Sequence, residues 1–190
     1  MTRAGPVENP GVLYSHPGLP LSAEGRRAVL GLVAGLEAAG IRAIYAPDSR
    51  AEAEAAELLA QRLGVPLELH PALRERSWGA WEGRSFEEVK RRWPEAVRAL
   101  AEDEAGFAPP RGESVRAVFA RSQPVFRELL ARHAGDAFLV VGACVPNRAA
   151  IQLALPFLPP EEGLRIEQDY ARLTELRFYG EVGVLAYVNR

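Results

Sequence analysis

The chain is poor in the residues that build covalent and metal cross-links: one cysteine, one methionine and three histidines in 190 residues. A single thiol cannot close an intrachain disulfide and cannot build a cysteine-based zinc site. The histidines, His16, His70 and His133, are scattered without metal-ligand spacing. Neither a metal nor another cofactor is expected. Lysine is nearly missing as well, since Lys90 stands alone and the other cations are arginines. With 25 acidic against 23 basic residues, the formal net charge is -2. That balance gives no basic surface for nucleic-acid phosphates. No apolar run approaches the roughly 18 residues of a membrane span, and the segment Met1 to Pro10 lacks the apolar core of a secretory signal. The expectation is a cytoplasmic protein with no nucleic-acid and no membrane partner.

What is present is a hydrophobic share of 48% over a length that suits one well-cored domain, residues 1–190. Val12 to His16 is a short β-type run set between Pro10-Gly11 and Pro17-Gly18, and it reads as the first strand. Ser22 caps a helix with Val29, Leu32, Val33 and Leu36 on one face, and Gly40 stops it. Ile41 to Tyr45 is the second strand. A capping box at Ser49 and Glu52 then opens a helix that Gly64 ends, which puts Arg50 at the first helical position beside N–H groups that favour an anion. Val65, Leu67 and Leu69 alternate as a third strand.

Leu73 to Gly83 has neither period but carries two of the three tryptophans, as loops that serve a site often do. Ser85 with Glu88 opens another helix, Pro94 restarts it, and a longer one begins near Ser114 and runs through Pro124. Phe138 to Val141 reads as a doubly covered central strand ending at Gly142, followed by a helix that Pro156 stops. Leu173 to Phe178 and Val184 to Val188 read as a hairpin. This order predicts an α/β three-layer sandwich with a mostly parallel central sheet and an antiparallel edge. Sites in such folds sit at the carboxyl edge of the sheet.

Four segments resemble the histidine phosphatase superfamily, the phosphoglycerate-mutase-like proteins. Pro20-Leu21-Ser22-Ala23-Glu24-Gly25 is similar to its Pro-Leu-Thr-x-x-Gly, and Ile44 through Ala56 to its strand, Arg-Ala turn and helix. Leu73-Arg74-Glu75 through Trp81-Glu82-Gly83 is similar to its Leu-x-Glu-x-x-x-Gly-x-x-Glu-Gly loop, and Gly112-Glu113-Ser114 to its Gly-Glu-Ser. In that family a histidine that follows an arginine on the first strand attacks phosphorus. Two arginines and a second histidine hold the phosphoryl oxygens, and a glutamate protonates the leaving group. The chemistry needs a neutral imidazole as nucleophile and fixed cations around the equatorial oxygens.

Carried over, the resemblance implies Arg50 as a phosphate-binding arginine and Glu75 as the acid. With Val12 to Tyr14 as the strand, Arg-His-Gly falls on Ser15-His16-Pro17-Gly18, so His16 is the candidate nucleophile and phosphate ligand while Ser15 replaces the arginine. On that register only Pro17, Gly18 and Leu19 precede Pro-Leu-Ser, and the family's longer loop is missing. The second histidine motif falls on Gly142-Ala143-Cys144-Val145-Pro146-Asn147-Arg148-Ala149, with Ala143 in the place of the histidine.

Losing one preorganised donor costs roughly 2.7–4 kcal/mol of barrier, about 10²–10³ in rate. The implied protein is a degenerate member, weakly active or inactive, that binds phosphate or a phosphorylated small molecule. Two alternatives stand beside it: a working phosphomonoesterase acting through phospho-His16, and an interaction scaffold whose cavity is filled. A homodimer is compatible with the family. Cys144 reads as a buried, inert thiol, because Arg148 stands four residues on, not the six of cysteine phosphatases. Trp78 and Trp81 read either as pocket walls or as core. Asn147 is placed to point an amide toward the vacated histidine position.

Overall fold

The computed structural model describes residues 1–5, 11–15 and 18–190. Its centre is a parallel sheet of β1 (Thr2–Arg3), β2 (Ile41–Ala46), β3 (Leu67–Leu69) and β4 (Ala137–Gly142), ordered β1-β4-β2-β3. Side chains alternate across it, as a period of two requires. Ile44, Ala46, Leu139 and Val141 face one core, and Ala43, Tyr45 and Val140 face the other. The first core is closed by α1 (Ala23–Leu30), α2 (Val33–Ala38) and α3 (Arg50–Leu63) through Val29, Leu36 and Leu59. After α4 (Phe86–Arg92) and α5 (Pro94–Glu102), α6 (Val115–Arg132) and α7 (Cys144–Ala154) close the second through Phe119, Leu129, Ala149 and Ala150. The short α8 (Pro160–Gly163) precedes a hairpin of β5 (Glu175–Tyr179) and β6 (Val182–Tyr187).

The hairpin is antiparallel and forms its own two-stranded sheet. It joins the flank of β1 through an antiparallel bridge between Thr2 and Leu173 and reciprocal backbone bonds of 2.8 Å between Met1 and Thr174. The three-layer α/β arrangement is therefore as expected. Helix starts follow their caps: the Ser22, Ser85 and Ser114 hydroxyls accept from Gly25, Glu88 and Ala117 N–H at 2.9, 3.2 and 3.1 Å. Ser49 is the cap residue of α3, but its hydroxyl accepts no bond from that helix's amides, so the reciprocal box expected there is incomplete.

Two expectations are corrected. The first strand is Thr2–Arg3, not Val12 to His16. Thr2 is 1% exposed and in register with Val141, whereas residues 12–15 have no fully buried face and lie along the tryptophan loop. There the Leu13 N–H donates to Arg84 O and the Gly83 N–H to Leu13 O, each at 2.8 Å. His16 lies outside the described residues. The helix expected from Ser22 to Gly40 is two helices, interrupted at Gly31 and Leu32, where a glycine weakens helix continuity by about 0.5–1 kcal/mol. No helix among the described residues is long and apolar enough to cross a membrane.

Candidate functional site

At the carboxyl edge of β1 and β4 lies a cavity of about 270 Å³. Its floor follows from strand register. Arg3 stands opposite Gly142, and the Ala4 N–H donates to Gly142 O at 3.3 Å, so Ala4 and Ala143 leave neighbouring strands side by side. Adjacent strands are about 4.8 Å apart. Both alanines line the cavity, 4% and 6% exposed. Arg3-Ala4-Gly5 thus occupies the end of the first strand, the place that the resemblance gives to Arg-His-Gly. A Cβ on Gly5 would meet the Gly25 backbone at 2.5 Å, so this glycine seats against the one that ends Pro-Leu-Ser-Ala-Glu-Gly. Residues 6–19 then separate the two motifs, and the loop judged missing on the other register is there in length.

The calls on single residues divide. Ala143 lines the cavity. Glu75 is there too, but its carboxylate is occupied: the Arg76 N–H donates to Oε1 at 2.6 Å and the Val145 N–H to Oε2 at 3.1 Å. It therefore caps the N-terminus of α7, where an anion is favoured. Arg50 is exposed at the start of α3, where its Nη1 donates to Gly18 O at 3.3 Å, and it is not among the described residues that line the cavity. The cationic walls are Arg3 and Arg76 instead. Arg3 donates from Nη1 to Gln168 O at 2.6 Å and lies 4.1 Å from the centre of the Tyr170 ring. Arg76 is 4% exposed; burial lowers its pKa, though a guanidinium stays charged near neutrality.

Glu52, one turn into α3, also faces the cavity. Burial pushes its carboxyl up to about 7, with the nearby Glu75 charge adding to the rise, while its own backbone N–H, Ser49 and Arg3 pull the other way. Tyr14 and Tyr170 meet through their hydroxyls at 3.4 Å across one wall, and burial raises the Tyr14 phenol. Ser15 is tied to Glu82, which also accepts from the Trp78 N–H at 3.1 Å. Residues 12–15 are thereby held as a wall of the cavity.

The remaining candidates serve the frame. Glu113 of the Gly-Glu-Ser motif binds Arg121 at 2.9 Å and accepts the Ser77 N–H at 3.0 Å, fixing the tryptophan loop to α6. Trp78 lines the cavity, whereas Trp81 is fully buried between Trp78 and Phe107, with ring centroids at 6.2 and 5.5 Å. Asn147 does not reach toward Ala143. It is fully buried, its Nδ2 donates to Thr2 O at 3.2 Å, and its Oδ1 sits where a Cβ on Gly142 would overlap it. Cys144 is half-buried, not buried as expected, and lines the cavity; it packs on the Arg148 guanidinium, and burial raises its thiol pKa, which disfavours the thiolate. His70 bonds Glu68 at 2.7 Å and His133 bonds Tyr45 at 2.6 Å, and neither lines the cavity. No group of three or more His, Cys, Asp or Glu side chains among the described residues could hold a metal ion.

Arg3, Ala4, Glu52 and Arg76 were not legible as site residues, although Arg3-x-Gly5 preserves the spacing of the family's first motif. Among known proteins, a family model of the histidine phosphatase superfamily (branch 1) matches residues 1–190. The bifunctional protein Rv2228c of Mycobacterium tuberculosis is 31% identical over 173 residues, 88% of this chain and 46% of that protein. The chain thus spans about half the length of such curated relatives. The solved mycobacterial glucosyl-3-phosphoglycerate phosphatase with bound VO3 superposes with a TM-score of 0.86 at 25% identity, covering 98% of this chain and 96% of the other. The YhfR protein of Bacillus stearothermophilus gives 0.88 at 25% identity, covering 97% and 93%.

Proposed function

The chain belongs to the histidine phosphatase superfamily, and we propose that within it this is a non-catalytic or nearly non-catalytic member that binds a phosphorylated small molecule. The observation that supports the reading is that Ala4 and Ala143 leave adjacent strands side by side at the cavity; on this reading their methyl groups stand in for the family's two imidazoles. A methyl cannot attack phosphorus, so the covalent route through the first strand is lost outright. Loss of the second imidazole removes a further donor to the equatorial oxygens, about 10²–10³ in rate by itself. Glu75 lacks a leaving group to protonate once no nucleophile displaces one, and its bonds to two backbone amides suit a capping role.

Binding is favoured over a pure scaffold because, among the described residues, none of Trp78, Trp81 or the arginines fills the cavity, which keeps a volume of about 270 Å³. The relatives support the ligand class, since the matched glucosyl-3-phosphoglycerate phosphatase acts on a phosphorylated small molecule by its name. The test pairs two measurements on the full chain. Titration with vanadate should give saturable binding, and p-nitrophenyl phosphate should turn over no faster with the wild type than with His16→Ala. Brisk hydrolysis that disappears in His16→Ala would establish the phosphohistidine alternative and sink this reading.

A further inference from the structure

The central sheet has a second hollow, at the edge away from Ala4 and Ala143. It has a volume of about 830 Å³ and lies beside the amino ends of β2 and β4, where Ile41 and Ala137 line it. Its floor is Leu36, Phe126, Leu139 and Val140, each 4% exposed or less. Leu36 and Leu139 belong to one core and Phe126 and Val140 to the other, so the hollow reaches both faces of the sheet. Five rings stand around it, those of Phe126, Phe138, Phe178, Tyr179 and Tyr187. The charged side chains that line it among the described residues are Asp136, Glu175 and Arg177. Glu175 and Arg177 pair with each other, and the Tyr187 hydroxyl also bonds the Glu175 carboxylate. Asp136 is exposed and has Arg42 at 4.0 Å, and His133 is bonded to the Tyr45 hydroxyl at 2.6 Å. Two carboxylates against one engaged guanidinium leave nothing to hold an anion, in contrast to the cavity walled by Arg3 and Arg76.

We propose that this hollow is a second ligand site and that its occupant is an uncharged small molecule with an aromatic body. The inference does not depend on the binding function proposed above, because the two cavities lie at opposite edges of the sheet. A volume of about 830 Å³ falls within the roughly 300–1,000 Å³ of small-molecule sites. Water against apolar walls is displaced favourably by apolar surface, and the surrounding rings offer edges and faces to another ring. The surplus of carboxylates repels a negative group. The polar side chains at the walls already answer one another, so the ligand need bring no charge of its own.

The test is fluorescence titration of the full chain with phenylnaphthylamine, an uncharged probe, and with anilinonaphthalene sulfonate, the same rings bearing an anion. The wild type should bind the uncharged probe saturably and at least about tenfold more tightly than the sulfonate. Ala39→Trp and Ala131→Trp replace exposed lining residues on two different walls, and each should weaken the uncharged probe at least about fivefold, with circular dichroism as the folding control. Phe157→Ser removes an 81% exposed ring outside the hollow and should change affinity by less than about twofold. Absence of saturable binding, a sulfonate that binds as tightly, or wild-type affinity in both folded tryptophan variants overturns the inference. So does a loss in Phe157→Ser as large as theirs. Should a tryptophan variant fail to fold, the other variant and the wild-type preference between the two probes decide. Sedimentation of the same samples supplies one more outcome: a wild-type dimer that Ala131→Trp dissociates would assign the hollow to a second copy of the chain and overturn the small-molecule reading.

Discussion

Replacing Glu52 by glutamine should stabilise the protein, and only above a definite pH. Glu52 ionises near 7 in the folded chain against 4.5 for a free side chain, chiefly because it is buried and secondly because Glu75 is close. The folded state therefore holds this proton more tightly than the unfolded state does. A raised acid pKa means that stability falls as pH rises from about 4.5 to about 7 and then stays at its lower level. At about 1.36 kcal/mol for each pH unit between the two values, the ionised form costs the fold about 3 kcal/mol as an upper figure. Glutamine has the shape of the protonated acid and cannot ionise, so Glu52→Gln escapes that cost.

Guanidinium unfolding of wild type and Glu52→Gln at about pH 5 and about pH 8.5 reads the difference. The variant should gain under about 1 kcal/mol at the lower pH and about 2–3 kcal/mol at the higher, or about 2–4 °C in Tm per kcal/mol for a chain of this size. Asp48, Glu68 and Glu113, whose pKa values are held down mainly by Arg74, Arg132 and Arg121 against their own desolvation, contribute stability that is lost in acid. They are common to both proteins and cancel in the difference. A variant advantage of equal size at both pH values would refute the placement of a largely desolvated carboxyl beside Glu75; wild-type stability alone does not decide it, because the buried Met1 amine, lowered to about 5, adds stability over the same pH range.

Two further outcomes follow from the same geometry. Glu75→Gln keeps an oxygen for the Val145 N–H but removes a negative charge from the mouth of α7, so phosphate affinity measured by calorimetry should rise by about threefold to tenfold; unchanged or weaker binding would show that the carboxylate does not face the anion. Gly142→Ala drives a methyl into the buried Asn147 amide that pins Thr2 O, and denaturant unfolding should register a loss of about 1–3 kcal/mol; a neutral result would mean that Asn147 is free to turn elsewhere.

The parts of the fold that could be read from the chain are those with enough residues to show a period. β4 announces itself through Phe138 to Val141 and a terminal glycine, and the helices that begin at Ser85 and Ser114 through hydroxyls three residues before the amide they accept from. β1 could not be read so, because Thr2–Arg3 is too short for alternation and owes its existence to pairing with Val141 and Gly142. His16 follows Val12 to Ser15 as a histidine follows the family's first strand, whereas the strand itself is Thr2–Arg3 and residues 6–19 lie between its glycine and Pro20. Ala143 was legible because Val140-Val141 and Arg148-Ala149 fix the register on both sides; nothing in the chain fixes Ala4 in that way.

Glu52 and Arg76 show a different limit, since their meaning is created entirely by burial. In sequence Glu52 completes a capping pattern and Arg76 is one of two arginines flanking Glu75. Folding puts α3, the tryptophan loop and the ends of β1 and β4 around one cavity and withdraws part of their surface from water. The Glu75 carboxylate then takes the Val145 N–H at the start of α7, and Arg76 is left with Phe107 O and the Trp78 face as its direct contacts and a free Nε. On the proposed reading these two facts are linked. An anion that entered the cavity would be repelled by the Glu75 carboxylate at α7 and attracted by the Arg3 and Arg76 guanidiniums, so its position would be set by these charges as well as by the groups at positions 4 and 143.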